Sequence, residues 1–212
     1  MGHHIAIGDI HGAKDSLDRL MDLIDPDPNA DTLVFLGDYV DRGAKAFELV
    51  ERLLEIGRKW PRTIFLKGNH EQMFEDFLSG KDRQHFLANG GHATIESYLR
   101  HRSRHSLKEL LPPEHASFFS SLKLYHETDA YIFVHAGLRP KVSLDAQQAD
   151  DMLWIREPFI SSFFDFGKRV IFGHTPFPEP LVMPNKIGID TGAGYGRALT
   201  AVILPEVRFI SA

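Results

Sequence analysis

The sequence predicts an α/β fold: strand and helix alternate through the first half, and a second sheet of short strands occupies the second half. Three observations predict it. Apolar runs recur at Ile5-Ala6-Ile7, Leu33-Val34-Phe35-Leu36, Ile64-Phe65-Leu66, Tyr131-Ile132-Phe133-Val134 and Val170-Ile171-Phe172. Apolar residues at helical spacing lie between the first three runs, and β-α-β-α is the signature of a largely parallel sheet. Each run leads into a short Gly-containing motif carrying Asp, Asn or His. Ligand-type side chains at the carboxyl ends of strands can point into the crevice where open α/β sheets bind ligands.

The first run leads into Gly8-Asp9-Ile10-His11-Gly12. Leu17, Leu20, Met21 and Ile24 then give a helix one apolar face, and Asp25-Pro26-Asp27-Pro28-Asn29 ends it. The second run leads into Gly37-Asp38-Tyr39-Val40-Asp41-Arg42-Gly43, followed by a helix marked by Phe47, Val50 and Leu54. The third leads into Gly68-Asn69-His70-Glu71. Residues from about Glu71 to Leu124 read as helix and loop, a helical cap inserted between the third and fourth motifs. Met73, Phe74, Phe77, Leu78, Phe118, Phe119 and Leu122 are its core-like positions. The basic run Arg100-His101-Arg102-Ser103-Arg104-His105 reads as a solvated face, or else as a docking surface for an acidic or phosphorylated partner. Tyr131–Val134, Lys168–Phe172, Lys186–Ile189, Leu199–Leu204 and Val207–Ile210 are short strands separated by Gly and Pro, which suggests a second, mainly antiparallel sheet. The fourth and fifth motifs, His135-Ala136-Gly137 and Gly173-His174-Thr175, follow two of these strands.

The 212 residues suggest one domain, 1–212, large enough for a real core. Hydrophobic residues at 43% and charged residues at 25% are ordinary for a globular protein. A formal net charge of −5 does not favour a general nucleic-acid binder. No run approaches the ~18 apolar residues of a membrane span. The first strand begins almost at once, so no signal peptide is expected. His3-His4 reads as native sequence leading into that strand, although a tag remnant has the same look. The absence of cysteine excludes disulfides and fits a cytoplasmic protein. Neither composition nor motifs point to a particular oligomeric state.

Carboxylate, amide and imidazole side chains without cysteine suit Mn²⁺, Fe or Zn²⁺. Two such cations ~3.5–4 Å apart can clamp both oxygens of an in-line phosphoryl displacement and bring the pKa of a bound water towards ~7. Asp9, His11 and Asp38 are candidates for one ion; Asp38, Asn69, His135 and His174 for the other, with Asp38 shared. Each motif alone is ordinary: Asp-x-His reads as a capped turn and Asn69-His70 as a turn with a surface histidine. All five in order, each behind an apolar run, point to one site.

The five motifs resemble those of the calcineurin-like metallophosphoesterases. Within that family they resemble the phosphoprotein-phosphatase branch, whose pattern reads GDxHG, GDxxDRG, GNHE, HAG and GHT. The likeness runs from about Gly8 to about Thr200. Gly68-Asn69-His70-Glu71-Gln72-Met73, Asn89-Gly90-Gly91 and Trp154-Ile155-Arg156-Glu157 add a likeness to small bacterial and phage protein phosphatases. Asp190-Thr191-Gly192-Ala193 is similar both to these and to symmetrical diadenosine tetraphosphatases. The resemblance implies a four-layer α/β/β/α sandwich and two divalent ions, Mn²⁺ first with Fe or Zn²⁺ as alternatives. It implies that Arg42 and Arg156 bind the substrate phosphoryl group, that His70 is the general acid and that Asp41 keeps it protonated and oriented. The competing readings are a turn-stabilising ion pair for Arg42, an ion pair with Glu157 for Arg156, and mere positioning of Asn69 for His70. Glu71 is expected to act indirectly or structurally. Many superfamily nucleases end in Gly-His-x-His; here Thr175-Pro176 follows His174, which leaves the first ion fewer protein ligands.

The leading expectation is a serine/threonine protein phosphatase using a two-metal-activated hydroxide. A symmetrical diadenosine tetraphosphatase or related nucleotide phosphohydrolase is the alternative, and a non-enzymatic binding module would be expected to have lost ligands that are all present. The implied partner is a phosphorylated protein or a nucleotide polyphosphate.

Overall fold

The computed structural model describes residues 2–101 and 110–212. Each apolar run becomes a strand whose alternate side chains face opposite ways. Strands β1 (His4–Ile7), β2 (Thr32–Phe35) and β3 (Ile64–Phe65) are parallel neighbours, as the β-α-β-α order requires. Helix α1 (Lys14–Ile24) buries Leu17, Leu20 and Met21. It ends at Asp25, which is left-handed and returns its N–H to the Met21 carbonyl, before Pro26 turns the chain away. Helix α2 (Ala46–Lys59) buries Ala46, Leu49, Val50, Leu53 and Ile56. The expected markers Phe47 and Leu54 are only half-buried; Phe47 meets later helices rather than the sheet, packing on Tyr98 and His115.

The segment from Glu71 to Leu124 is helical where described: α3 (Asn69–Leu78), α4 (Arg83–Phe86), α5 (His92–Arg100) and α6 (Pro113–Ser121). A tight π-type turn at Leu87–Gly91 joins α4 to α5. Its aromatic residues are packing, as their spacing suggests: Phe74 sits against Phe86, Tyr98 and Phe119. The segment lies on α2 and extends the helical layer over the first sheet. Arg102 to His105 of the basic run lie outside the described residues.

The second sheet comprises β4 (Tyr125–Glu127), β5 (Tyr131–Val134), β6 (Arg169–Phe172), β7 (Leu181–Val182) and β8 (Lys186–Gly188), in the order β4-β5-β6-β8-β7. It is mixed rather than mainly antiparallel, since β5, β6 and β8 run parallel. The last hairpin, β9 (Thr200–Leu204) and β10 (Arg208–Ser211), joins the first sheet instead, with β9 antiparallel to β1. The free edge of β1 accounts for this: the apolar β9 continues the inner and outer faces that β1 begins. Ala6, Val34 and Val202 of one sheet meet Phe133, Ile171 and Ile187 of the other. Ile5, Ile7, Leu33 and Phe35 face α1 and α2. Ile132, Val134, Val170 and Phe172 face α7 (Ala149–Trp154) and α8 (Glu157–Ile160) through Met152 and Phe159. The layers are therefore α/β/β/α. Burying each such side chain stabilises by ~1.5–3 kcal/mol. Among the described residues no helix is long and apolar enough to cross a membrane.

Candidate active site

The five motifs leave the carboxyl ends of β1, β2, β3, β5 and β6 and meet at one edge of the two-sheet core. Asp9, His11, Asp38, Asp41, Asn69, His70, His135 and His174 are all buried there. His11, Asp38, Asp41, Arg42 and His174 are left-handed, with φ between 47° and 70°. This conformation costs a residue with a Cβ roughly 1–2 kcal/mol. Of the non-glycine left-handed residues only Asp25, Lys141 and Val207 lie elsewhere among the described ones. Two glycines let these loops close: a Cβ on Gly68 would strike the Asp38 carboxylate, and one on Gly173 the Asp9 carboxylate.

One ligand cluster lies between the sheets. The His135 Nδ1 lies 2.9 Å from the Leu36 carbonyl, which can only accept, so the ring donates there and Nε2 carries the lone pair. That Nε2 lies 3.0 Å from Asn69 Oδ1 and 3.4 Å from Asp38 Oδ1. His174 Nδ1 lies 2.9 Å from the same Asn69 oxygen. Electron-pair donors facing one another in this way suit a cation between them. The second cluster reuses Asp38: its Oδ2 lies 3.4 Å from His11 Nε2 and 3.9 Å from His70 Nε2. His11 is fixed like His135, its Nδ1 donating to the Val40 carbonyl at 2.8 Å. Asp9 accepts the His174 backbone N–H at 2.9 Å and feels the charges of Asp38 and Asp190, but it belongs to neither three-residue group, and His70 stands with His11 and Asp38 where the sequence put Asp9. The groups His11–Asp38–His70 and Asp38–His135–His174 thus each bring three ligand atoms within reach of one ion.

The electrostatics suit ligation. Burial pushes the His11 and His174 imidazoles down to about 3 and also lowers His135, so all three are neutral with lone pairs available. Burial opposes ionisation of Asp38, but at the acid pH where it would take up a proton the surrounding imidazoles of His135, His70, His11 and His174 are themselves charged, and they hold that carboxyl below its usual range. Burial, Asp190 and Asp38 push Asp9 up, and burial raises Asp190 to about 6. Crowded carboxylates of this kind are relieved by a bound cation.

His70 is a separate case. Its Nδ1 lies 2.7 Å from Asp41 Oδ2, and Asp41 is held in turn by Thr94, whose hydroxyl donates to Oδ1 at 2.6 Å and accepts the Asp41 N–H at 2.8 Å. Burial alone would lower the His70 pKa; the Asp38 charge and the Asp41 hydrogen bond overturn this and raise it. Its Nε2 is left facing the site. Arg42 NH1 lies 2.6 Å from His11 Nε2 and NH2 lies 3.1 Å from His70 Nε2. The turn at Gly90 seats this arginine, its carbonyl accepting the Arg42 N–H and its missing Cβ leaving room for the side chain. Arg42 makes no ion pair with Asp41. Arg156 is exposed at the start of α8, makes no ion pair with Glu157 among the described residues, and acts electrostatically on His135, His174 and Asp190.

Glu71 acts indirectly, as the sequence suggested, while Thr94 and Tyr195 were not legible there. Glu71 is completely buried, and its carboxylate accepts the backbone N–H groups of Asp38, Gly68, Tyr39 and Val40 at 2.8–3.2 Å. Burial and Asp38 push its pKa up to about 7, while these amides pull the other way and suit only the ionised form. Thr94 carries no motif signal. Tyr195, whose ring lies against the Arg42 guanidinium, stands between two left-handed glycines in Gly192–Gly196, where the sequence shows only a turn signal.

A family model of calcineurin-like phosphoesterases matches residues 4–200. The chain belongs to that family. It is a metallophosphoesterase, and so a phosphoric-ester hydrolase by family. The asymmetrical bis(5'-nucleosyl)-tetraphosphatase PrpE of Halalkalibacterium halodurans is 26% identical, over 97% of this chain and 91% of the relative. The protein of the same name from a Geobacillus strain is 27% identical over the same shares. A solved structure provisionally assigned as a diadenosine tetraphosphatase has a TM-score of 0.79 at 24% identity, covering 100% of this chain and 93% of the other. A cold-active protein-tyrosine phosphatase from a psychrophilic Shewanella has a TM-score of 0.74 at 17% identity, covering 100% of this chain and 77% of the other. At these identities the solved structures bear on the metallophosphoesterase fold.

Proposed function

We propose that this metallophosphoesterase hydrolyses a phosphoanhydride bond of dinucleoside polyphosphates, with His70 as general acid. The His70–Asp41 pair, set beside Arg42 and two ligand clusters that share Asp38, supports hydrolysis at phosphorus, and the choice of a phosphoanhydride rests on the names of the relatives. Bound to those clusters, two divalent cations, Mn²⁺ first, would supply positive charge to the phosphoryl oxygens and acidity to the attacking water. Asp9, His11 and Asp38 would hold one, and Asp38, Asn69, His135 and His174 the other. Arg42 and Arg156 bind the phosphoryl oxygens from two sides, a task that suits a planar fork of donors. Asp41 holds His70 with Nε2 towards the reacting group, so its proton passes to the leaving oxygen as the phosphorus–oxygen bond breaks. The names of the relatives that span 97% of the chain support a nucleotide substrate over the phosphoprotein that the motifs alone favour. A cytoplasmic setting goes with that substrate.

One observation favours a phosphoprotein as the second reading. Trp154 packs edge-on to His174, and the depression beside it is lined by Asp76, Asp82, His85 and Asp150. Such an acidic flank suits a basic phosphopeptide better than a second run of phosphates. Turnover of diadenosine tetraphosphate and of a basic phosphoserine peptide, measured in parallel on Mn²⁺-loaded protein, separates the readings. At least a tenfold higher kcat/KM is expected for the dinucleotide. The reverse ratio would hand the substrate to the second reading, and no turnover of either would remove both.

A further inference from the structure

Tyr195 is 61% exposed, yet it is not a loose surface side chain. Its N–H reaches back to the Gly192 carbonyl at 2.9 Å, and the Gly196 and Arg197 N–H groups close the same turn on Ala193 and Gly192. Asp190 fixes the start of the turn by accepting the Gly192 N–H at 2.9 Å. The turn also presses against the site, because a Cβ on Gly194 would lie 2.5 Å from the His11 ring. The phenol ring is therefore presented from a backbone anchored to a candidate metal ligand.

One face of that ring is occupied. The Arg42 guanidinium carbon lies 4.6 Å from the ring centroid, and its nitrogens reach His11 and His70. The ring thus sits one guanidinium away from the reacting groups, with the rest of its surface open to solvent. Exposing an aromatic ring without a partner forgoes its burial, whereas stacking a substrate ring on it recovers that area. The phenol hydroxyl has no hydrogen bond among the described residues, so polarity does not explain the placement.

We infer that Tyr195 is a stacking platform for the nucleobase of a substrate whose phosphoryl group is held by Arg42, which makes it a specificity-determining residue. This rests on the nucleotide reading of the site. Any base offers a π-face, so the platform selects nucleotides over phosphate esters without a planar ring, rather than one base over another.

The test is calorimetric titration of Mn²⁺-loaded protein with adenosine 5'-monophosphate and with ribose 5-phosphate, which differ by the base alone. The wild type and Tyr195→Phe are expected to bind the nucleotide at least about fivefold more tightly than the sugar phosphate, the lower end of base–aromatic stacking. In Tyr195→Ala the nucleotide should weaken to the level of the sugar phosphate, and the sugar phosphate should be unchanged. Equal binding of the two ligands by the wild type, or no detectable nucleotide binding, overturns the inference. So does an equal loss for both in Tyr195→Ala, which would make the ring a support for Arg42. Failure of the nucleotide reading shows separately, as intact base discrimination without turnover of diadenosine tetraphosphate.

Discussion

Glu71→Gln is the most informative single change outside the ligands and reacting groups. The native carboxylate is buried and accepts four backbone N–H groups, two on each oxygen, from Asp38, Gly68, Tyr39 and Val40. Glutamine keeps the shape but only one acceptor oxygen; its NH₂ would face two amide donors. Two buried N–H groups are then orphaned, at roughly 1–3 kcal/mol each. The loss of roughly 2–6 kcal/mol is a large part of a typical stability of ~5–15 kcal/mol. For a chain of this length it lowers the unfolding midpoint by roughly 5–20 °C. The same amides shape the loop that carries Asp38, and the Val40 carbonyl orients His11, so affinity for both ions should fall as well. Thermal unfolding in chelator isolates the structural effect, and Mn²⁺ titration reads the second. A variant that melts with the wild type and binds Mn²⁺ equally well would refute the reasoning.

Further outcomes follow from the same geometry. His70→Asn should slow hydrolysis of a phosphoserine peptide far more than of p-nitrophenyl phosphate, whose leaving group needs no proton; general acid catalysis is commonly worth ~10²–10⁴-fold, and equal losses on the two substrates would remove His70 from that role. Asp41→Asn takes away one of the two influences that raise the His70 pKa, and an acid works only below its pKa, so the alkaline limb of the rate–pH profile should move to lower pH; an unmoved limb would make Asp41 purely structural. Arg42→Ala and Arg156→Ala should each lower kcat/KM, by ~2.7–4 kcal/mol for a donor acting on transition-state charge, and a wild-type rate for Arg156→Ala would remove that residue alone. Asp38→Asn should reduce Mn²⁺ stoichiometry and activity together while circular dichroism stays native; retention of two bound ions would show that Asp38 is not shared.

Much of the candidate site was legible because its residues are local to the strands: each candidate ligand stands just past a strand end, marked by the glycine that lets the loop approach. The layers were legible for a related reason, since Ile5 and Ile7 alternate with Ala6 and so assign both faces of β1. What the strands could not disclose is which sheet each one joins. β9 and β10 read like their neighbours β6 and β8, yet the open edge of β1 captures them. Long-range hydrogen bonds were equally hidden. Thr94 lies 53 residues from the Asp41 it grips, and nothing around it in the sequence marks it as a partner. Glu71 was visible inside its motif, but its targets 31–33 residues away were not.

The left-handed residues at the site bear on how ions would enter it. His11, Asp38 and His174 take up this backbone conformation as the chain folds, and Glu71 and the Leu36 and Val40 carbonyls fix the loops and imidazole rings around them. An arriving cation does not have to gather side chains from separate loops. If it binds there, it would meet loops and rings already ordered by folding, so little of its binding energy would go into rearranging the protein. A socket ordered in this way would discriminate by fit. Ions that need a different arrangement of ligands cannot reshape it without opening the two-sheet core on which its loops stand.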